Sequence, residues 1–379
     1  MAKKGKNLTV KNSYAWFNGT DGNDSITVKA EKEAQVFGNK GNDTITVTKG
    51  SGHKIMGDDY TDSYYNSSYS GKDTITLAGG EGHRVWGNKG ADKIYVNKNA
   101  GFDFICGCEG NDTITVYKGA KAGTESDYAG IRGGTGNDKI TVTNGKYYEI
   151  EGEEGHDTIT VTGGSHYKIY GNEGKNKITV NKATNFEVHN YTKNSSITIT
   201  GGKNGNVMAE NTTVTVNSGT GHEVYAERGK VEINGGKNLV VSDSDWESTN
   251  ETIVINGGNG SVLLGQGDDN GTEKITVDFG NGKNKVGDWR ISADYLENNR
   301  LTVLGAKSTA FEFKREFSDI GSLLLYDRWV MTNKKTGATI TLDGWYSNWT
   351  KTFDIYFAKD NKIVSSVPYK TEVDRLNLH

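Results

Sequence analysis

The chain has 379 residues, a net charge of −4, 51 glycines, one proline and two cysteines. This composition excludes collagen, which needs abundant proline and a glycine at every third position, and it lacks the basic excess of nucleic-acid-binding proteins. No run of 18 apolar residues occurs, so the sequence predicts no membrane span.

The first residues, MAKKGKNLTVKN, are basic, and no apolar stretch follows them. A cleavable signal peptide requires such a stretch. The sequence therefore predicts either a cytoplasmic protein or one that is exported without an N-terminal signal peptide.

A glycine-rich motif recurs along the first half of the chain, and its clearest copy is GNKGNDTIT, which begins at Gly38. Most copies lie 19 or 20 residues apart, and insertions at 58–70 and 119–130 lengthen two of the steps. Such a period is typical of solenoids, in which insertions fall in loops. The copies begin at Gly19, Gly38, Gly87, Gly107, Gly133, Gly152 and Gly171.

Each repeat contains two strand patterns. In the first, Ile45 and Val47 alternate with threonines, and the second follows about ten residues later around Ile55. Period-two alternation indicates a strand with one buried face. Two strands and two turns form one coil, and coils must stack to bury their apolar side chains. We therefore expect an all-β fold, a parallel β-roll or two-sheet β-solenoid with about 19 residues per coil, over residues 1–287.

One acidic residue holds the same place in the turn of successive repeats. Stacking would bring these carboxylates roughly 5 Å apart, where two charges repel by about 3 kcal/mol at an effective dielectric near 20. A carboxylate with several backbone carbonyls forms a hard oxygen cage that suits Ca²⁺. The alternative is that Asn-Asp simply makes a good turn, with lysines neutralising the acids. The candidate ligands are Asp24, Asp43, Asp73, Asp92, Asp112, Asp138 and Asp157.

The glycines beside these acids would leave the carbonyls of the turn free to face an ion. They are Gly19, Gly22, Gly38, Gly41, Gly87, Gly90, Gly107, Gly110, Gly133, Gly136, Gly152 and Gly155. The pattern resembles G-G-x-G-x-D-x-U-x, the signature of repeats-in-toxin (RTX) or haemolysin-type proteins. That resemblance implies a parallel β-roll with Ca²⁺ in its turns. The sequence departs from the signature where Asn39, Asn88 and Glu153 replace the second glycine.

The motif occupies one edge of each coil, so we expect about one ion for each pair of adjacent motif coils. The motif copies lie within 19–160, and the coils at 171–287 are degenerate, with Asn176 and then Ser195 in the place of the acid. We expect the site at Asp73 to be weak because the insertion lies inside its turn.

Residues 288–379 lack the period and are rich in aromatic side chains. Strand and turn patterns predict a β-rich capping domain. The runs ITLDGWYS and IYFAKDNK are similar to the segment after the repeats in RTX exoproteins, which implies type I secretion and an extracellular or cell-surface location.

No HExxH, GxSxG or P-loop motif occurs, so we expect no enzyme. The predicted function is that of a secreted, calcium-binding structural protein with a matrix, surface-layer or adhesion role, which folds when Ca²⁺ binds. Its partners beyond calcium would be further copies of itself, or a cell-surface glycan or protein. The alternatives are a non-catalytic part of a toxin or exoenzyme system, or an ice-binding solenoid with outward Thr-x-Thr pairs.

Two further residue groups carry expectations. We expect Cys106 and Cys108 to be incidental thiols, since a bridge across one residue of a strand would be strained. We also expect the second turn to hold one mixed, non-metal column of packing residues. Its members would be His53, His83, Asp103, Tyr148, Tyr167, Phe186 and His222.

Overall fold

The computed structural model confirms the predicted fold class: it is nearly all parallel β, a solenoid of about 13 turns with roughly 19 residues per coil. It describes residues 5–59, 68–121, 123–242, 252–264, 274–280, 285–293, 300–320, 324–344 and 354–365. The chain divides into two compact units, Met1–Ile197 and Thr198–His379. Within the described ranges, the structure contains no helix with the length and apolarity to cross a membrane.

The first unit contains two parallel sheets that the chain visits in turn. Odd-numbered strands pair only with odd-numbered strands and even-numbered ones with even-numbered ones, in chain order. The strands are β1 (Asn7–Val10), β2 (Trp16–Asn18), β3 (Ser25–Val28), β4 (Gln35–Phe37), β5 (Thr44–Val47), β6 (Lys54–Met56), β7 (Thr74–Leu77), β8 (His83–Lys89), β9 (Lys93–Val96), β10 (Phe102–Glu109), β11 (Thr113–Val116), β12 (Ala129–Thr135), β13 (Lys139–Thr143), β14 (Lys146–Glu154), β15 (Thr158–Thr162), β16 (Ser165–Tyr170), β17 (Lys177–Asn181) and β18 (Thr184–Asn190).

The core of the first unit lies between the two sheets, as the alternation predicts. Ile45 of β5 pairs with Ile26 of β3 and Ile75 of β7, and all three are buried. Val36 and Ile55 form the matching column of the second sheet. Because the strands pair in parallel register, with one shift between β8 and β10, like side chains stack in rows, and each row fixes the position of the turn that precedes it.

The outer face of the second sheet carries buried side chains at its first coils. Phe37, Met56, Trp86 and Cys106 follow one register column, and all are buried, in a cluster that also includes Cys108. The expectation of two free thiols is wrong, because Cys106 and Cys108 form a disulfide with their Cα atoms 5.2 Å apart. Cys108 has a φ of +85°, so the backbone at the second bridged residue departs from the extended conformation of β10.

The second unit also begins with alternating parallel pairs. Its strands are β19 (Ser196–Glu210), β20 (Thr213–Thr220), β21 (Glu223–Glu227), β22 (Lys230–Ile233), β23 (Leu239–Ser242), β24 (Thr252–Ile255), β25 (Gly258–Leu264), β26 (Lys274–Asp278), β27 (Val286–Ala293), β28 (Arg300–Leu304), β29 (Phe311–Ile320), β30 (Leu324–Asn333), β31 (Thr339–Gly344), β32 (Asp354–Phe357) and β33 (Lys362–Ser365). A 3₁₀ turn, Ser308–Ala310, precedes β29.

Parallel pairing extends past residue 287, where the sequence predicts the roll to end. β27 pairs with β25, and β28 pairs with β26, both in parallel. Antiparallel pairs follow, with β30 between β29 and β31, and with β33 beside β32. The predicted β-rich character of the C-terminal segment is thus present in its described residues, while the GWYS part of the ITLDGWYS run and the last residues, RLNLH, lie largely or wholly outside them.

Candidate metal centre

All seven candidate aspartates stack in one buried column at the first turn of the coils. Each directly precedes a strand of the first sheet, and each has 3% of its surface or less exposed. Asp73 belongs to this column although the insertion precedes it, so the insertion does not displace the acid from its turn. The sequence therefore identifies every carboxylate of this column.

One oxygen of each carboxylate has a structural task that needs no metal. Oδ1 of Asp43 accepts the backbone N–H of Asp24 at 2.6 Å, and Oδ1 of Asp73 accepts that of Asp43 at 2.7 Å. The same bond links the remaining coils as far as Asp157, whose own N–H donates to Oδ1 of Asn176 at 2.9 Å. The side chain of one coil thus satisfies a buried backbone donor of the preceding coil.

The asparagine before the aspartate links coils in the opposite direction. The N–H of Asn42 donates to Oδ1 of Asn23 at 3.0 Å, and that of Asn137 donates to Oδ1 of Asn111 at 2.7 Å. The recurrent Asn-Asp pair therefore joins each coil to both neighbours. This role accounts for part of the motif without any ion, as the alternative interpretation of the sequence requires.

The second carboxylate oxygen is different. In six of the seven aspartates Oδ2 is buried and has no hydrogen-bond partner. Asp24 is the exception, because the backbone and the hydroxyl of Thr20 both donate to its Oδ2. A buried polar atom without a partner costs about 1–3 kcal/mol, so six such atoms in one column require an explanation. They belong to Asp43, Asp73, Asp92, Asp112, Asp138 and Asp157.

Asn176 shows what the position of Oδ2 demands. Its Oδ1 takes the place of the carboxylate Oδ1, while its Nδ2 donates to the carbonyls of Asn172 at 3.3 Å and Glu173 at 3.2 Å. Nδ2 also lies 3.5 Å from Oδ1 of Asn190. The second atom of this side chain is therefore surrounded by oxygen acceptors. An amide satisfies them, whereas an ionised carboxylate adds another acceptor and needs a cation between them.

The first glycine of the motif brings a further carbonyl to the same place. A Cβ at Gly107 would collide with Oδ2 of Asp112 and crowd the carbonyl oxygen of Gly133 in the next coil. The same arrangement recurs at Gly38, Gly87, Gly133 and Gly152. Only glycine lets these two oxygens approach one backbone carbon from the same side, which explains why this position is glycine in every copy.

The later turn positions explain both the second motif glycine and its replacements. Gly155 has a φ of +132°, and Gly41, Gly90, Gly110 and Gly136 are also left-handed. Asn39, Asn88 and Glu153, which replace the second glycine of the RTX signature, have φ values of +68°, +73° and +71°. Asparagine tolerates this region better than most residues. The backbone of the signature turn is therefore kept although its residue is not.

The first copy of the motif lacks this backbone conformation. Thr20 and Gly22 are absent from the left-handed residues, and the N–H of Thr20 points at Asp24 instead. The structure thus separates Gly22 from the equivalent glycines of the other copies, whereas a Cβ at Gly19 would meet the carbonyl of Gly38 and Oδ2 of Asp24 just as in the other coils. In this turn the N–H of Thr20 donates to Oδ2 of Asp24, so this oxygen already has a hydrogen-bond partner.

Burial dominates the electrostatics of the column. It raises the pKa of Asp43 to about 7, of Asp73 to about 8 and of Asp92 to about 9. It also raises the pKa of Asp112 to about 7, of Asp138 to about 8 and of Asp157 to about 6. Backbone hydrogen bonds to the carboxylates oppose this effect, while neighbouring acids add to it for several members. The ionised column is therefore unfavourable without a counter-charge.

Asp58 is a buried acid that the motif does not reveal. It is fully buried, its Oδ2 accepts the N–H of Lys89 at 3.1 Å, and its charge raises the pKa of both Asp73 and Asp92. It takes the turn position held by Asn39 and Asn88 in the neighbouring coils. Only alignment of the turn across the insertion could have indicated it.

The oxygen atoms at these turns fit Ca²⁺, since carboxylate and carbonyl oxygens are its usual ligands. Over the ranges that the structure describes, no group of three or more His, Cys, Asp or Glu side chains converges to hold a metal ion. Each ion would therefore draw on one carboxylate Oδ2 per turn and on backbone carbonyls for its other ligands.

The fold and the column together define a β-solenoid with acid-lined turns. Comparison with family models, with curated proteins and with solved structures gives no match for this chain. The RTX resemblance therefore rests on the sequence alone, on the turn motif and on the two C-terminal runs ITLDGWYS and IYFAKDNK.

Proposed function

We propose that the chain is a non-catalytic structural protein, secreted and extracellular, in which Ca²⁺ bound at the acidic turns stabilises the first unit. The observation that carries this proposal is the set of six buried, unpartnered Oδ2 atoms, each in a place that Asn176 fills with a hydrogen-bond donor. A divalent cation would satisfy these oxygens and offset the mutual repulsion of the column.

The extracellular location follows from the same chemistry. Sites in extracellular calcium modules bind at roughly 10⁻⁴–10⁻³ M, and turns that supply one carboxylate each belong at the weak end of calcium affinity. Such turns would be empty in the low calcium of a cell interior and filled outside it. Binding would then favour the folded state by mass action. A matrix, surface-layer or adhesion role agrees with this behaviour.

The test compares urea unfolding of the whole chain in about 5 mM calcium, in the same concentration of magnesium and in chelator. Isothermal titration calorimetry measures calcium binding to the same protein. We expect calcium to raise the unfolding midpoint of the first unit and magnesium to raise it less. In the Asp112→Asn variant the new amide takes the position in its turn that Asn176 holds in its own, so we expect fewer bound ions without a loss of fold.

A matched control is Asp127→Asn, which changes an exposed acid outside the column. It should leave both the ion count and the midpoint unchanged. Equal midpoints in calcium and in chelator, together with no heat of binding, would contradict the proposal.

The two alternatives remain predictions. The middle outward row of the first sheet contains Thr115, Thr141 and Thr160 in register, which an ice-binding surface would require, but Tyr95 interrupts it and stacks on Tyr117. Thermal hysteresis would be the measurement for that function. A role as the non-catalytic part of a toxin or exoenzyme system would require a catalytic partner.

A further inference from the structure

Two histidines lie at the second turn of the coils, on the edge opposite the aspartates. His53 directly precedes β6 and His83 begins β8, and both are fully buried. Their column differs from expectation at the next coil, where Phe102 rather than Asp103 pairs with His83, because the register shifts at this point of β10.

Both ring nitrogens of each histidine are used. Nδ1 of His53 accepts the N–H of Ala34 at 3.0 Å, and Nδ1 of His83 accepts the N–H of His53 at 3.3 Å. Nε2 of His53 lies 3.1 Å from the carbonyl of Lys49, and Nε2 of His83 lies 3.1 Å from that of Gly79. Only the neutral ring with its proton on Nε2 accepts and donates in this way.

The two rings also stack on each other, with centroids 5.0 Å apart and planes 5° from parallel. A proton on either ring would turn its Nδ1 into a donor that faces a backbone N–H. A proton on both would place two cations face to face in a buried site. Each event removes a bond that joins successive coils, so the pair holds three coils together only while both rings are neutral.

The charged groups around the rings come from all the turns packed against them. Glu31 pairs with Lys49, Glu81 pairs with Lys121, a side chain at Gly52 would crowd Glu33, and one at Gly82 would touch Asp103. Glu81 favours the charged form of His83, while Lys121 and His53 oppose it. Burial outweighs these contributions and lowers the pKa of His53, and it lowers that of His83 to about 4.

We propose that the stacked pair His53–His83 is an acid-sensitive latch, which clips the second turns of three successive coils together at neutral pH and releases them when the rings are protonated. The direction of the pH dependence follows from the lowered pKa of both histidines in the folded state. The stabilisation is complete above the ordinary histidine pKa of 6.5 and is lost as the pH falls from there towards about 4.

His222 in the second unit provides a comparison within the same chain. Its Nδ1 accepts the N–H of Gly205 at 3.0 Å, and its Nε2 lies 3.2 Å from the carbonyl of Gly201. It likewise accepts a backbone N–H and faces a carbonyl, although this carbonyl belongs to the preceding coil. The residue in register at the next coil is apolar, since Val224 pairs with Val241 and places Leu239 in the column of His222.

The experiment is amide hydrogen exchange of the whole chain from pH 7.5 to 4, corrected for intrinsic exchange rates. We expect the amides of Ala34 and His53 to lose at least tenfold protection between pH 6 and 4, while those of Tyr148 and Tyr167 keep theirs. The matched variant is the double substitution His53→Phe and His83→Phe, since Phe102 and Phe186 occupy the same column. It should lose this acid step.

A second measurement does not depend on the variant folding. Nitrogen NMR of histidine-labelled wild-type protein should show His53 and His83 as neutral Nε2–H rings at pH 7.5. His189→Phe, on the outer face of β18, is the control and should retain the acid step. Because all these proteins contain the same aspartate column, acid effects there cancel in the comparison.

Three outcomes would overturn the proposal. They are rings that carry the proton on Nδ1 at neutral pH, rings that titrate near pH 6.5 while the Ala34 and His53 amides stay protected, and an acid step that persists in a folded double variant.

Discussion

At the scale of single residues, both turns of a coil obey one rule: a buried side chain accepts a backbone N–H from the preceding coil and donates to a carbonyl four residues before it. His53 does so with its two ring nitrogens, and Asn176 does so with its amide. Asp157 can meet only the first half of the rule when ionised. The unmet half is what distinguishes a candidate ion site from a simple turn.

This rule predicts the effect of introducing an acid at the end of the column. Asn176→Asp removes the donor to Asn172 and Glu173 and should cost about 1–3 kcal/mol of unfolding free energy in chelator. Calcium should recover a large part of this loss. Urea unfolding with and without the ion measures both effects. Asn194→Asp, an exposed substitution that keeps a left-handed residue, is the control and should change stability by less than about 0.5 kcal/mol.

At the scale of elements, each strand of the first sheet divides its side chains between core and solvent. In β15, Ile159 and Val161 are fully buried, and Thr160 between them lies on the outer face. Neighbouring coils repeat the arrangement, since Ile159 pairs with Ile140 and Ile178. A packing defect in one strand therefore also disturbs the core of the preceding coil and of the following coil.

We expect Ile159→Ala to destabilise the first unit by about 2–5 kcal/mol, because it opens a cavity among close-packed isoleucines. Thr160→Ala in the same strand should change stability by less than about 0.5 kcal/mol. The midpoints of urea unfolding under identical conditions measure both. Similar losses for the two variants would mean that this strand does not separate a buried face from an outer one.

The strands and the acid column were predictable because they depend on periodicity, and the same residue pattern recurs at the same positions of successive repeats. The exceptions arise where a local feature changes the register or the backbone. The shift in β10 puts Phe102 in the column expected to hold Asp103, and the left-handed backbone of Cys108 accompanies its disulfide to Cys106. The buried state of Trp86 depends on contacts beyond its own repeat, which no local pattern encodes.

The site was only half predictable for a related reason. The sequence identifies which residues carry carboxylates, since Asp112 and its equivalents recur at a fixed place. It cannot show that Oδ1 and Oδ2 have different surroundings, because that depends on the next coil. Asn176 appears in the sequence as the loss of a motif, whereas in the structure it shows what the motif position requires.

At the scale of the whole molecule, the two units differ in their content of turn acids. All seven aspartates of the column lie in the first unit, Met1–Ile197, and the column ends there with Asn176 and Ser195. In the second unit the described turn position after β19 holds Thr212, which is neutral and donates to the carbonyl of Glu210. Dependence on calcium should therefore belong to one unit and not to the other.

We expect chelator to lower the hydrogen-exchange protection of strands β3 to β15 and to leave that of β20 to β24 unchanged. In thermal unfolding, the midpoint temperature of the first unit should rise with calcium concentration, while that of the second unit should stay constant. Loss of protection in both units to the same extent would show that the ion acts on the chain as a whole. Unchanged protection in both would contradict a role for calcium.

The reciprocal bonds of the Asn-Asp turn have a consequence for how such a gene can change. Oδ1 of Asn137 accepts a backbone N–H from the next coil as Oδ1 of Asn111 does, and Asp138 bonds with its neighbours through the same atoms as Asp112. Duplication or loss of one complete period would create a junction whose contacts already exist elsewhere in the chain. Insertion or deletion of a single residue within a strand would instead exchange its inner and outer faces. Coil number is thus free to drift during evolution, while changes in the length of a coil are confined to the segments between its strands.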